Sequence, residues 1–296
     1  MTLDETTTAR GLAAGALVAL ATLAAPGELH AWGQNGHRIV GEIAERHLTV
    51  AARQGVIEIL GQHESLAEAA SWPDDIRSDP AWGRAAPWHF ISIDDHETLA
   101  NTARSGEGDV LEAMERFEAV LRDPDAPKEK KVEALRFYVH FVGDVHQPLH
   151  VGRRDDRGGN SIRVRWFREP RNLHSVWDSG LIESRELSFT EYVRFIDGAS
   201  REEIVAWQAA PYEEWVRESF CLRGRLYDFG AEAAREPEEE PNLGFGYAFH
   251  QGPLVDRRLR QAGIRLAGHL NAILTGAPTP APPEEIPTDP AAWCGE

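Results

Sequence analysis

Four short blocks rich in histidine and aspartate constrain this chain more than anything else in it. They read Trp32-Gly-Gln-Asn-Gly-His37, then Asp74 with Trp88-His89-Phe90, then His140-x3-Asp144-x5-His150, and finally His174-x3-Asp178. His140 and Asp144 are one helical turn apart, so any helix that carries them projects both from one face. The surrounding segment is otherwise apolar, with Leu135, Tyr138, Val139 and Val142 along one wall. Polar side chains buried on such a helix need partners or a metal to offset the loss of water. Pro148 limits the helix and lets His150 return toward the same centre. His174 and Asp178 repeat the one-turn spacing, whereas His146 points elsewhere and reads as a packing or supporting residue.

Each block alone has a plain structural reading. A mutual hydrogen bond satisfies a buried His–Asp pair. Asp74, in Ser-Trp-Pro-Asp-Asp-Ile-Arg, suits a turn or helix cap, and His89 an extended segment before a turn. Taken jointly, the blocks are more specific. Zinc takes nitrogen and carboxylate ligands, about four per ion. Trp32, His37, Asp74, His89, His140, Asp144, His150, His174 and Asp178 make nine candidates, too many for one ion and enough for two or three.

Most of the remaining chain reads as helix, over Gly36–Leu48, a segment capped by Thr49, Val110–Leu121, Lys130 to about Val145, Thr190–Ile196, Glu202–Ala209, Glu213–Phe229 and Pro253–Leu274. Asn160–Phe167 alternates apolar and basic residues after Gly158-Gly159, the pattern of a short hairpin strand. Glu236–Pro241 reads as a solvated acidic loop, and Ala277–Glu296, with six prolines, as an extended tail.

Leu12–Ala25 is an apolar run broken only by Gly15 and Thr22, too short for a membrane span and suited to a secretory signal ending at Ala31. Residues 1–31 are therefore expected to be a leader, 32–276 a single domain and 277–296 the tail. Cleavage after Ala31 would free the α-amine of Trp32, which chelates a metal together with its own carbonyl oxygen. Export also permits a disulfide between the two cysteines, Cys221 and Cys294, which would pin the tail to the body. The net charge of −17 excludes broad basic surfaces as the means of holding a polyanion.

The blocks, with Ser71-Trp-Pro-Asp74-Asp-Ile-Arg77, Gly158-Gly159-Asn160 and Asn172-Leu-His174-Ser-Val-Trp-Asp178, closely resemble the S1/P1 nuclease family. The resemblance implies a mainly α, single multi-helix domain and an exported, zinc-dependent nuclease and 3′-nucleotidase. It also implies a monomer without a membrane anchor, acting on single-stranded nucleic acid and 3′-nucleotides. Three Zn2+ sites are implied: Asp74, His89, His140 and Asp144 in the first, His150, His174 and Asp178 in the second, and Trp32, His37 and a shared Asp144 in the third. A hydroxide held between two zincs is the implied nucleophile, with Asp74 orienting it and Arg77 meeting the phosphate oxygens. Phe90 would stack a base and Asn160 would contact substrate. A zinc phospholipase C, which shares the ligand scheme but usually ends it in Glu, and a non-catalytic zinc-binding protein are the rival expectations.

Overall fold

The computed structural model describes residues 32–230 and 240–295. The expected leader, residues 1–31, and residues 236–239 of the acidic stretch lie outside the described residues. Helices dominate, in the order α1 (Gln34–His47), α2 (Val50–Leu60), α3 (Leu66–Ala69), α4 (Trp72–Asp75), α5 (Val110–Arg122), α6 (Lys128–His146), α7 (Leu173–Ser175), α8 (Leu181–Glu183), α9 (Phe189–Ile196), α10 (Arg201–Gln208), α11 (Tyr212–Arg223), α12 (Phe245–Ile273) and α13 (Pro290–Cys294). Two small sheets accompany them. Strands β1 (Ile91–Ser92) and β2 (Val151–Gly152) pair in parallel, while β3 (Arg163–Trp166) forms a hairpin with β4 (Glu169–Asn172) and takes β5 (Asn242–Leu243) on its other edge.

The helix α6 is the axis of the molecule. Every residue from Phe137 to His146 is buried, as expected of a helix enclosed on all sides. It packs against α5, α12 and α11, while α1 lies along α12. α1 turns Ile39, Val40, Ile43 and Ala44 inward at helical spacing. The Thr49 hydroxyl accepts from Ala52 N, so α2 starts with a side-chain cap.

Behind the C-terminal end of α6 lies a buried ionic cluster. Glu218 of α11 accepts from Arg258 and Arg265 of α12, the latter at 2.8 Å from Nη2. His146 donates from Nδ1 to Val142 O at 2.7 Å, which leaves Nε2 to accept from Arg265 at 3.0 Å. Burial, reinforced by Arg258 and Arg265, holds the His146 pKa well below its ordinary value, so the ring is neutral. His146 thus supports the core and does not face the metal-ligand cluster.

Several boundaries differ from the sequence expectations. His89 is the last residue of a 3-10 run, Pro80–His89, and not part of an extended segment; Asp79 caps that run by accepting from Ala81 N. α12 begins at Phe245, before Pro253, because Tyr247 and Gln251 on the first turns are buried against the body. Their packing outweighs the hydrogen bond that a mid-helix proline removes. The segment expected over Glu213–Phe229 is α11 followed by a 3-10 turn, Gly224–Tyr227. The tail is not wholly extended, since α13 lies within it. Cys294 of α13 is bonded to Cys221 of α11 with their Cα atoms 5.6 Å apart, and Trp293 packs on Phe220. No helix among the described residues is long and apolar enough to cross a membrane.

Candidate metal centre

α6 carries His140 and Asp144 into a buried space where α1, α4 and the end of the 3-10 run meet. His140 Nε2 lies 3.0 Å from His89 Nδ1, 3.3 Å from Asp144 Oδ2 and 3.7 Å from Asp74 Oδ1. His89 Nδ1 is also 3.0 Å from Asp144 Oδ2. On the other side, His37 stacks on His140 with ring centroids 3.7 Å apart, and its Nε2 approaches Asp144 Oδ1 at 3.4 Å. The stack depends on Gly143, where an added Cβ would stand 2.8 Å from His37 Nδ1. Trp32 is fully buried beside it, and Gly33 N donates to Asp178 O at 2.7 Å.

A second cluster adjoins the first. The 3-10 turn after Pro148 brings His150 to His174, with Nε2 atoms 3.2 Å apart. Asp178, on a π-helical turn, places Oδ2 3.3 Å from His174 Nε2 and Oδ1 3.8 Å from His150 Nε2. The ligand-type atoms fall into three groups in which all lie within 4.8 Å of one another: His37, Asp74 and His140; His89, His140 and Asp144; and His150, His174 and Asp178.

These residues are held as metal ligands need to be held. His140, His150 and His174 each direct Nδ1 at a backbone carbonyl, Ala70 O at 2.7 Å, His89 O at 2.6 Å and Gly158 O at 2.6 Å. Donation from Nδ1 fixes the tautomer and leaves the Nε2 lone pair toward the cluster. Two imidazole nitrogens facing each other at 3.0 Å, and a buried Asp144 Oδ1 and His37 Nε2 without hydrogen-bond partners, are what a cation between them would resolve. The donor set, nitrogen and carboxylate alone, fits zinc.

Electrostatics divide these residues into two kinds. Burial, with His140 close by, lowers the His37 pKa to about 4, and burial lowers that of His89 to about 4 despite Asp144. Burial also opposes charge on His140, but Asp144 and Asp74 outweigh it and raise its pKa. Asp144 is held well below the usual carboxylate range, since His140 and His150 overcome its burial. Burial pushes Asp178 well above that range. His37 and His89 therefore face a firmly ionised Asp144 as neutral imidazoles, whereas His140 and Asp178 hold a proton that a bound cation would displace.

A family model for S1/P1 nuclease matches residues 32–275. This chain belongs to the S1/P1 nuclease family. It is 31% identical over 277 residues to Endonuclease 4 of Arabidopsis thaliana, covering 83% of this chain and 90% of that protein. It is similar as well to Nuclease S1 of Aspergillus oryzae, 31% identical over 56% of this chain and 60% of that one. Nuclease P1 of Penicillium citrinum is 35% identical over 50% of this chain and 57% of its own length.

In this S1/P1 nuclease family member Arg77 and Phe90, of the remaining expected site residues, border the clusters. Arg77 places Nη2 2.8 Å from Asp74 Oδ1 and is a quarter exposed. Phe90 is half-buried and lines a cavity of about 190 Å3 with His89, Ser92, Leu149, His150 and His174. Asn160 does not line that cavity; its amide donates to Arg157 O at 2.9 Å and so holds the adjoining turn. Gln147 was not singled out by sequence reasoning, yet it links the centre together. Its Nε2 donates to Asp178 Oδ1 at 2.7 Å while its Oε1 accepts from Leu149 N at 2.7 Å. Its place between His146 and Pro148, in an otherwise buried block, was the available signal.

Proposed function

We propose that this protein is an exported phosphodiesterase that hydrolyses single-stranded DNA and RNA to 5′-phosphorylated products, with 3′-nucleotidase activity, using three zinc ions. One observation carries the reading: five histidines and three aspartates from distant segments converge in a buried space with ligand atoms 3.0–3.8 Å apart. Asp74, His89, His140 and Asp144 would hold one ion, His150, His174 and Asp178 a second, and Trp32, His37 and Asp144 a third. Bound there, zinc supplies Lewis acidity, lowering the pKa of a water and neutralising charge on phosphate.

The chain's own residues supply position and selectivity. Asp144, ionised and central, offers one oxygen to each side and can serve two ions. The His150, His174 and Asp178 trio offers three ligands, as a catalytic site does, whereas purely structural sites are closed by four. Arg77 keeps guanidinium donors beyond the one on Asp74 for the equatorial phosphate oxygens. Asp74 would accept a hydrogen bond from the attacking water and orient it. Phe90 gives a base a face to stack on beside His150 and His174, and the recess admits a base only once it has left a duplex stack.

The test is metal content and N-terminal sequence of the mature chain, followed by assays on RNA, denatured DNA, duplex DNA, a 3′-nucleotide and phosphatidylcholine. About three zincs, Trp32 as the first residue, and single-strand hydrolysis lost on chelation and restored by zinc are expected. Turnover indifferent to chelation, or preference for phosphatidylcholine, would overturn the reading.

A further inference from the structure

The cavity beside His150 and His174 is lined by Phe90 and, at its edge, by two arginines, Arg154 and Arg157. Five main-chain carbonyls around it are already engaged. His89 O accepts from His150, Gly158 O from His174, Ser92 O from Thr102, Phe90 O from Val110 N, and Gly152 O from Ile93 N. Arg154 is committed too, since its two terminal nitrogens donate to Asp94, Glu97, Thr102 and Ala103. Arg157 is different. It lines the same cavity, is exposed, and makes no side-chain hydrogen bond or ion pair among the described residues.

The turn that carries Arg157 is built to hold it there. Its backbone is left-handed, with φ of 56°, an uncommon conformation for a residue with a side chain. Gly158 N to Arg153 O at 3.0 Å and Asn160 Nδ2 to Arg157 O at 2.9 Å brace the turn on either side. Gly158 closes against the cavity floor, where a Cβ would stand 2.4 Å from Leu149 O. In an acidic protein, an arginine without a carboxylate partner among the described residues, at the mouth of this recess, has its fork of donors available for a ligand.

We propose that Arg157 is a specificity-determining residue that grips the acceptor edge of a guanine stacked on Phe90, so that the enzyme prefers guanosine at the nucleotide releasing its 3′-oxygen. Guanine alone presents two adjacent acceptors, O6 and N7, to a guanidinium fork, whereas adenine pairs N7 with an amino donor that Arg157 repels. Ser92 offers a hydroxyl that can donate or accept and does not choose between them. The proposal rests on the nuclease reading above and deepens it.

Two measurements on the mature, zinc-loaded protein test it. In kcat/KM, guanosine 3′-phosphate is expected to exceed adenosine 3′-phosphate by roughly 5- to 150-fold, the range for one bidentate pair. Arg157→Ala brings that ratio to near one, and Arg157→Lys, which keeps the charge but loses the fork, removes most of it. A wild type without guanine preference, or variants that lower both nucleotides equally and leave their ratio intact, would overturn the proposal and make Arg157 a phosphate contact. Calorimetric titration with the nucleoside 5′-phosphates of guanine and adenine needs no turnover. If hydrolysis were absent altogether, the functional reading would fail, while tighter, Arg157-dependent binding of the guanine nucleotide would still uphold the recognition, and equal binding would end it.

Discussion

Asp144 turns one carboxylate oxygen toward His37, with Oδ1 3.4 Å from Nε2, while its Oδ2 lies 3.0 Å from His89 Nδ1. A single buried carboxylate therefore joins donors from α1 and from the end of the Pro80–His89 run. Its ionised state is strongly favoured in spite of complete burial, because His140 and His150 flank it. Asp144→Asn keeps the shape but removes the charge and one acceptor oxygen. The expected result is loss of more than one zinc per chain, with hydrolysis falling by more than about a hundredfold, beyond the effect of a lost supporting contact. Metal analysis beside a far-UV circular dichroism spectrum checks it; a variant that keeps full metal content would refute the bridging role.

Gln147 should show a milder version of the same defect. It supports Asp178 at 2.7 Å and simultaneously fixes Leu149 N, so it sets the position of both the aspartate and the turn leading to His150. Gln147→Leu is expected to lower zinc affinity or activity by roughly 10- to 100-fold, the usual cost of losing such a support. Competition with a chelator of known affinity measures the first. Unchanged affinity and rate would show that Asp178 is held by the cluster alone.

How much of this was legible beforehand depends on whether the cause is local. The His140–Asp144 pair needed only helical spacing, and Thr49 and Pro148 marked boundaries through their own chemistry. His89 was legible as a donor but not in its 3-10 setting, because that run is held by packing of Trp82 and Trp88 around Phe137. The hairpin strand was visible in alternation, yet its turn was not. Phe167 and Arg168 occupy it with φ of 50° and 76°, where a sequence reading looks for glycine or asparagine. Parallel pairing with β5 and packing of Phe167 against Phe245 impose that conformation from outside the hairpin. Gln147 was hidden for a similar reason, since its value lies in touching Asp178, 31 residues away.

The disulfide predicts a measurable share of stability. Cys221 and Cys294 are 73 residues apart, so the bond restricts a long loop in the unfolded chain and ties α13 to α11. Cys294→Ser is expected to cost about 2–4 kcal/mol. Denaturant unfolding of the variant, compared with the oxidised and reduced wild type, reads the difference. The reduced wild type should match the variant; equal midpoints for all three would mean that Trp293 on Phe220 and the contacts of Arg217 with the tail suffice.

Glu218 predicts an acid-sensitive core distinct from the metal centre. Burial alone would raise its pKa, but hydrogen bonds from Arg265 and the charge of Arg258 bring it down to about 2 from an ordinary 4.5. A carboxylate with a depressed folded pKa stabilises fully above its unfolded value, here above about pH 4.5, and loses that contribution as pH falls through about 2. The contribution is on the order of 3 kcal/mol. Glu218→Gln removes it and leaves Arg258 and Arg265 buried without a counter-charge, so the variant should be less stable near pH 7 by roughly 3–5 kcal/mol. The gap between wild type and variant, followed by urea unfolding, should then narrow steadily between pH 4.5 and pH 2. Release of any bound metal in acid affects both proteins alike and leaves that difference readable. A gap that stays constant across this interval would show that Glu218 is not the group whose protonation loosens α12 from the end of α6.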